Sequence, residues 1–404
     1  MTSRHSGGLK WSILGPFLDP RLDTAWLSWS VMDPSVLYLN SSHTIAVLDI
    51  PTSLEVASGG IGRTFSSTPP VEPYVTPEPK GKKREVFLAR IPPREIQYHQ
   101  RVQLAITRVL QSVHECQLRT RWYLPRLLDD DTEEGENMAA DVCHDGEVSF
   151  LPVVLSLLPN YFNSVFRVQN VLVCHQSSTL TPLCTNDGTS FVIPGESTFI
   201  WSSIENALDV LSDFVKNNET SLEFDLVVMD PPWANRSVRN ARKYSTMDEQ
   251  EADPFDQALQ LVDSYLAERG HVAIWITNKL AIRHRVCASM QEREFVLIEE
   301  WFWTKITTKG EPVTPLDGLW RRPYEVMLLF KREALDCVPL NRFLFAVPDL
   351  HSRKPNLKSI FDVLLSPQKV LELFARNLTS SWWSIGNEVL KFQNSKLWST
   401  TEQT

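Results

Sequence analysis

The sequence has few of the residues that build disulfide frameworks, metal sites or membrane spans. Its 404 residues include six cysteines, none in a C-x-x-C pair, which argues against a zinc site and against a dense disulfide framework. No stretch of about 18 uncharged apolar residues occurs, and the N-terminus lacks the core and cleavage site of a secretory signal. No G-x-G-x-x-G motif is present, which argues against an ordinary glycine-rich cofactor loop. We expect a globular protein with reduced cysteines, no metal and no membrane span.

Basic residues are outnumbered, with 40 Lys and Arg against 49 Asp and Glu, a net charge of -9. One segment between Leu128 and Phe150 contains nine acids and no Lys or Arg, and so accounts for the whole excess. Its acids are Asp129, Asp130, Asp131, Glu133, Glu134, Glu136, Asp141, Asp145 and Glu147. We expect this run to be a solvated, mobile loop. The rest of the chain is formally neutral and can carry a local basic face.

Residues 1–150 are predicted to form an N-terminal helper region of mixed α and β structure. Short apolar stretches lie at 35–40 and 44–50, and a stripe containing Val102, Ile106 and Val109 predicts a helix within 94–115. Residues 64–83, rich in Pro, Thr and Lys, are predicted to be a linker or surface loop. The acidic loop spans 128–147, and residues 151–194 form a connecting segment.

From residue 195 to 393 strand-like and helix-like segments alternate, which predicts a main domain followed by a short tail at 394–404. Residues 223–230 are an apolar run that ends in an acid, as in a strand buried on both faces. Residues 253–270 predict a helix capped by Asp253, residues 271–277 predict another buried strand, and 370–376 a later one. We expect a Rossmann-like, doubly wound, mostly parallel sheet with ligands at the carboxyl ends of its strands.

The tetrapeptide Asp230-Pro231-Pro232-Trp233 follows the first of these strands. Two prolines make a stiff turn that donates no backbone hydrogen bond. A carboxylate and a proline carbonyl can accept both N–H groups of an exocyclic adenine amine, while the indole stacks on the base. The alternative is a rigid turn with a capping acid and a core tryptophan, but the position after a buried strand favours a catalytic site.

The blocks at 225–247, 303–325, 343–355 and 370–392 resemble the eukaryotic D-P-P-W-type N6-adenine methyltransferases, the MTA-seventy family. They are most similar to its methyltransferase-like four branch. The resemblance implies a class-I methyltransferase fold with permuted motif order, in which the cofactor block follows the catalytic block. It also implies S-adenosylmethionine as cofactor and residues 195–393 as the methyltransferase domain.

The resemblance further implies which residues form the site. Asp230, Pro231, Pro232 and Trp233 are the expected catalytic residues, with Asp230 also near the cofactor. Ser203 stands where the family has an adenine-binding Asp. The expected cofactor-binding residues are Asp230, Lys354, Glu372, Arg376, Asn387, Glu388 and Ser203. The alternatives are a salt bridge between Glu372 and Arg376 on one strand and a turn role for Asn387.

Cations and an aromatic follow the tetrapeptide, at the mouth of the predicted pocket, where they suit phosphates and a splayed base. The expected substrate-binding residues are Asn235, Arg236, Arg239, Arg242, Lys243, Tyr244, Lys305, Arg321 and Arg322. His351, Arg353 and Lys354 form a further basic cluster, and we hypothesise that these clusters share one face. A solvated basic loop is the alternative.

The function expected from these features is N6-adenine methylation of nucleic acid. RNA similar to small nuclear RNA is favoured, at adenosine or 2′-O-methyladenosine, with DNA as the other polymer. We expect a monomer in the nucleus, with the cytoplasm as a second location. The alternatives are a catalytically silent RNA-binding partner subunit and a methyltransferase of small molecules or protein amides.

Overall fold

The computed structural model describes residues 33–60, 62–116, 121–128, 154–157, 163–165, 168–233, 253–319, 321–332 and 338–399. The helices in these ranges are α1 (Ile50–Ala57), α2 (Lys82–Leu88), α3 (Pro93–Cys116), α4 (Ile204–Asn217), α5 (Pro254–Tyr265), α6 (Leu280–Gln291) and α7 (Lys358–Leu364). Within the described ranges, no helix is both long and apolar enough to cross a membrane. The predicted acidic loop beyond Leu128 and the predicted basic loop at 235–244 lie outside the described residues.

The strands before residue 200 are β1 (Val36–Leu39), β2 (Ile45–Leu48), β3 (Arg63–Ser66), β4 (Leu127–Leu128), β5 (Val154–Ser156), β6 (Asn163–Val165), β7 (Leu172–Cys174), β8 (Thr181–Thr185), β9 (Ser190–Ile193) and β10 (Thr198–Trp201). The later strands are β11 (Phe224–Met229), β12 (Leu266–Ile276), β13 (Phe295–Lys305), β14 (Tyr324–Arg332), β15 (Leu340–Ala346), β16 (Val370–Leu373), β17 (Trp382–Gly386) and β18 (Trp398–Ser399).

A twelve-stranded sheet has the order β1-β2-β15-β13-β14-β12-β11-β16-β17-β10-β7-β5. Its central strands β12, β11, β16, β17 and β10 are mutually parallel, and β14 is antiparallel to both of its neighbours. Parallel neighbours need crossover connections, and helices provide several of them. This mostly parallel α/β sheet confirms the predicted fold class, and it places the end of β11 at the edge where such folds bind ligands.

Strand β11 shows how the sequence produces a two-sided sheet. Val227 and Met229 pack into a core that includes α3, α4, α5 and α6. Leu226 and Val228 point the other way, into a core that includes α1 and α7. Because side chains alternate along a strand and both faces are covered, the strand is apolar from Leu226 to Met229, after Asp225 near its start. The continuous apolar run in the sequence therefore follows from the doubly wound architecture.

The N-terminal region is part of this sheet. Strand β2 pairs in parallel with β15, and β1 pairs with β2, so both extend one edge. Strands β5 and β7 extend the opposite edge beyond β10. The helix predicted within 94–115 is α3, and its stripe of Val102, Ile106 and Val109 is buried in the same core as α4 and α5. The predicted boundary at residue 195 is therefore not marked by a break in the sheet.

Helix α5 is shorter than predicted. Asp253 caps it as expected, since its carboxylate accepts the N–H of Phe255 at 2.9 Å. The helix ends at Tyr265 instead of continuing to Gly270, because Leu266 already pairs with Phe224 as the first residue of β12. Sheet pairing thus overrides the helical propensity of the segment that follows.

The Pro-rich segment predicted to be a linker is attached along much of its length. Its first residues form β3, which pairs with β4 and with β18 in the predicted tail, and its last residues begin α2. Between them, the N–H of Thr308 donates to the Pro70 carbonyl at 2.9 Å, and the N–H of Tyr74 donates to that of Val313 at 2.8 Å. Prolines suit an extended segment that bonds through a few backbone groups.

We predict that Gly310→Ala destabilises the protein more than a matched glycine change. Gly310 has φ +80°, and a Cβ there would lie 2.4 Å from the indole of Trp122. His114 packs on the same indole, with ring centroids 4.8 Å apart, so the ring cannot move freely. Gly188→Ala is the control, because Gly188 has φ +82° but open space around it. Chemical denaturation should show a cost of about 1 kcal/mol for the control and on the order of 1–3 kcal/mol more for Gly310→Ala. Equal costs would contradict this packing.

Candidate active site

Three charged side chains from separate sequence blocks meet at the carboxyl edge of the sheet. Asp230 follows β11 directly, and its Oδ2 lies 2.9 Å from Nη1 of Arg376 and 3.4 Å from Nζ of Lys354. Arg376 follows β16, and Lys354 lies in the chain after β15. The carboxyl ends of parallel strands share one edge, so residues 120 or more positions apart along the chain become neighbours.

Arg376 reaches Asp230 because β16 stops earlier than the sequence pattern predicts. The strand ends at Leu373, and Phe374 takes a left-handed φ of +58° that turns the chain. The N–H of Ala375 donates to the Ile385 carbonyl at 3.0 Å. A Cβ at Gly386 would lie 2.8 Å from the Ala375 carbonyl oxygen, so glycine is required for this close approach. The turn then holds Arg376 beside Asp230.

Glu372 is the second acid of the site. It lies on β16 among the side chains that line the cleft, and its buried Oε2 has no hydrogen-bond partner in the described part of the chain. Burial and the negative charge of Asp230 raise the pKa of Glu372 to about 8, although Arg376 opposes the shift. The alternative of a Glu372–Arg376 salt bridge on one strand is not found. Arg376 pairs instead with Asp230 and, at 3.1 Å, with Glu388.

Lys354 is held between two carboxylates. Its Nζ bonds to Glu325, the second residue of β14, as well as lying near Asp230. Glu325 also accepts a bond from Nζ of Lys305 at 2.7 Å. Burial disfavours the ionised form of Glu325, but the two ammonium groups outweigh it and lower its pKa to about 2. Lys305, predicted to bind substrate, is therefore engaged in this ion-pair network.

A cleft of about 580 Å³, including its open mouth, surrounds Asp230, Lys354, Glu372 and Arg376. Sequence reasoning missed most of its walls, which are Val228, Trp275, Ser352, Pro355, Asn356, Leu357, Phe361, Phe374, Asn377, Trp382 and Phe392. Asn356 and Asn377 lie within two positions of predicted site residues, so their place in the sequence could have indicated that they line the site. Trp275 lies inside a strand and is identified only by its register beside β11.

Trp233 is largely buried, with 8% of its surface exposed. Its ring packs against Phe255 at a centroid distance of 5.2 Å, and its indole N–H donates to the Trp275 carbonyl at 2.9 Å. Its backbone N–H donates to the Pro231 carbonyl at 2.8 Å, which leaves that oxygen one further lone pair. The tryptophan thus fixes the turn, and stacking of its ring on a base stays a prediction.

The remaining predicted cofactor residues lie around the cleft without lining it. The Ser203 hydroxyl accepts the N–H of Asn206 at 3.2 Å and caps α4, a structural role that explains a serine at this position. Asn387 follows β17, and its carbonyl accepts the indole N–H of Trp201 at 2.8 Å. Glu388 orients Arg376. Their contacts with a cofactor stay predictions.

The predicted basic face is only partly described. Arg321 is exposed, whereas the Nε of Arg322 is buried. Arg353 does not belong to a surface cluster, because its guanidinium is 3% exposed, bonds to Asp349 at 2.7 Å and packs over Phe392. The six expected substrate residues between 235 and 244 lie outside the described residues.

A mostly parallel α/β sheet with an Asp-Pro-Pro-Trp turn at its carboxyl edge, beside a cleft with paired acids and cations, defines an amino-group methyltransferase. The chain belongs to the MT-A70 family, whose model matches residues 224–388. It is thus an adenine-N6 methyltransferase, as the sequence predicted. Methyltransferases of this family generally use S-adenosylmethionine.

Three relatives support the family assignment. The N6-methyladenosine RNA methyltransferase MTA1 of Cryphonectria parasitica is 31% identical over 384 residues, which cover 90% of this chain and 94% of the relative. The human N(6)-adenine-specific methyltransferase METTL4 is 32% identical over 237 residues, 55% of this chain and 48% of that protein. A DNA N6-methyl methyltransferase of Caenorhabditis elegans is 33% identical over 215 residues, 52% and 56% of the two chains.

We predict opposite pH-dependent effects for glutamine at Glu372 and at Glu325. The pKa of Glu372 rises from 4.5 to about 8, so its contribution to stability is lost as the pH rises between those values. Glu372→Gln should therefore be more stable than wild type above about pH 5, with a difference growing by at most about 1.4 kcal/mol per pH unit up to about pH 8. Thermal or chemical denaturation across this range measures it.

Glu325→Gln is the matched control with the opposite sign. The pKa of Glu325 falls from 4.5 to about 2, so its ionised form stabilises the fold above about pH 4.5 and this contribution is lost as the pH falls toward 2. The variant should be less stable than wild type at neutral pH, with a deficit that shrinks on acidification. A pH-independent effect of Glu372→Gln would show that its carboxyl is not shifted.

Proposed function

We propose that this chain transfers a methyl group from S-adenosylmethionine to N6 of an adenosine in single-stranded RNA. The observation that carries the proposal is the position of Asp230, which directly follows a central parallel strand at the cleft. Its Oδ2 lies near the cations of Arg376 and Lys354, and the second acid, Glu372, has a buried oxygen without a hydrogen-bond partner in the described part of the chain. An acid at that position accepts hydrogen bonds from an amine, while the remaining charges suit a zwitterionic cofactor.

The residues of the cleft fit S-adenosylmethionine by their chemistry. Glu372 has a buried carboxyl oxygen without a partner, which suits the vicinal hydroxyls of a ribose. Lys354 suits the carboxylate of the methionine moiety, and the indole rings of Trp275 and Trp382 suit a cationic sulfonium or a planar base. When bound, this cofactor supplies an electrophilic methyl group on sulfur.

The chain's own contribution is to hold and orient the amine. Asp230 accepts one N–H of the adenine amine, and the free lone pair of the Pro231 carbonyl accepts the other. These bonds draw the nitrogen lone pair out of conjugation with the ring and direct it toward the methyl donor. Catalysis then depends mainly on positioning, and the stiff turn, fixed by Trp233, limits the entropy lost in reaching that geometry.

RNA is favoured over DNA by the extent of the similarities. The relative named for RNA methylation matches 90% of this chain, including the N-terminal region that joins the sheet. The relative named for DNA methylation matches 52%. We infer that the polymer is RNA, of the small nuclear type, with adenosine or 2′-O-methyladenosine as target, and that the enzyme works in the nucleus.

A transfer assay with labelled cofactor tests the proposal. Wild type and Asp230→Asn should be compared on sequence-matched RNA and DNA oligonucleotides, and on RNA whose target adenosine carries a 2′-O-methyl group. We expect methylation of N6 in RNA and a loss of roughly a hundredfold or more in kcat for Asp230→Asn, because the amide donates toward the amine instead of only accepting. Asp213→Asn, at an exposed position of α4, is the control and should retain activity.

Two results would reject parts of the proposal. Equal label incorporation by wild type and Asp230→Asn would remove Asp230 from the chemistry. A higher kcat/KM on DNA than on RNA would reject the proposed polymer while leaving the adenine-N6 reaction intact.

A further inference from the structure

A strongly basic segment lies in the N-terminal region, separate from the basic clusters that the sequence motifs indicated. Residues 80–94 contain six cations and a single acid, a net charge of +5 in a chain whose overall charge is -9. The cations are Lys80, Lys82, Lys83, Arg84, Arg90 and Arg94. Such a concentration of one sign creates a local field that attracts polyanions.

The cations of this segment face solvent. Helix α2 has no buried residue, and all six cations are exposed. In the described part of the chain, none of the six forms an ion pair with an acid. A short, unburied helix gains little stability from its own hydrogen bonds. Its charges are available for a partner because they are exposed and unpaired in the described part of the chain.

Two anchors fix this segment beside the active site. On its N-terminal side, the carboxylate of Glu78 accepts the backbone N–H of Leu319 at 3.1 Å. On its C-terminal side, Nδ1 of His99 on α3 lies 2.6 Å from the Tyr324 hydroxyl. Both anchor points lie on the stretch 319–324 that leads directly into Glu325, the partner of Lys354. The chain before helix α2 and the helix that follows it are therefore both attached to the stretch that leads into the cleft.

We propose that residues 80–94 bind the phosphodiester backbone of the single-stranded polynucleotide whose adenine enters the cleft. This inference rests on the proposed function and adds the surface that holds the rest of the polymer. Lys82, Lys83 and Arg84 form its centre. At 1.5 Å per residue the seven-residue helix is about 10 Å long, so it can face a short stretch of single-stranded backbone, on the order of two or three phosphates.

The test is direct binding of a fluorescent single-stranded RNA of about 12 nucleotides, measured by anisotropy without cofactor over a range of salt concentrations. The variant is the triple change Lys82→Gln, Lys83→Gln and Arg84→Gln. Losing three phosphate contacts should flatten the slope of log affinity against log salt by about 2 and raise Kd on the order of a hundredfold near 0.1 M salt. Single-stranded DNA of the same sequence should show the same loss, because both polymers share the phosphodiester backbone.

The control is the triple change Lys216→Gln, Arg269→Gln and Lys369→Gln. These cations make no ion pair in the described part of the chain. They lie near the starts of β11, β12 and β16, whereas the cleft lies where the parallel strands end. Equal charge is removed, so an unchanged Kd for this control separates a local surface from a net-charge effect. Because α2 is unburied, both triple variants should keep the wild-type melting temperature.

Two further readouts separate this inference from the proposed function. On a trinucleotide substrate, which is too short to span the cleft and α2, the α2 variant should retain wild-type kcat/KM. If the α2 variant binds RNA with unchanged affinity and salt slope and methylation is intact, residues 80–94 are not the binding surface. The proposed function would then still stand. Failure of the wild type to bind any oligonucleotide would overturn both.

Discussion

The ion pair between Asp230 and Arg376 is the contact on which the site depends. It joins the end of β11 to the turn after β16, and it is possible only because both strands are parallel neighbours whose carboxyl ends meet. The left-handed backbone at Phe374 and the close approach at Gly386 bring the guanidinium to the carboxylate. Arg376 then contacts the same carboxylate oxygen, Oδ2 of Asp230, that Lys354 approaches. The resulting cluster is partly buried, so each member fixes the position of the others.

The two flanking carboxyls differ because their neighbours differ. Glu325 faces two ammonium groups and keeps a low pKa, whereas Glu372 faces burial and another acid and has a high one. One acid therefore acts as a permanent anion that holds Lys354, and the other is a neutral hydrogen-bonding group at neutral pH. A cleft that combines both can accommodate a cofactor carrying charges of both signs and neutral hydroxyls.

The N-terminal region gives this catalytic sheet part of its stability and its surroundings. Strands β1 and β2 extend the sheet, α3 fills one face of the core, and the Pro-rich segment binds the loop that carries Gly310. The basic helix α2 lies between two of these attachments. A region that has no recognisable motif thus completes the core and carries a basic helix, which we propose binds the polynucleotide.

The sequence by itself determined the fold class and the Asp-Pro-Pro-Trp turn, because apolar periodicity and short motifs are local properties. Its resemblance to the methyltransferase family indicated Lys354, Glu372 and Arg376. The sequence did not determine that Arg353 is a buried structural cation or that Trp233 packs into the core, since burial depends on which elements cover a residue. Nor did it determine the walls contributed by Trp275 and Trp382. Those contacts, and the pKa values of Glu325 and Glu372, arise only when strands distant in sequence share one edge of the sheet, a consequence of tertiary pairing.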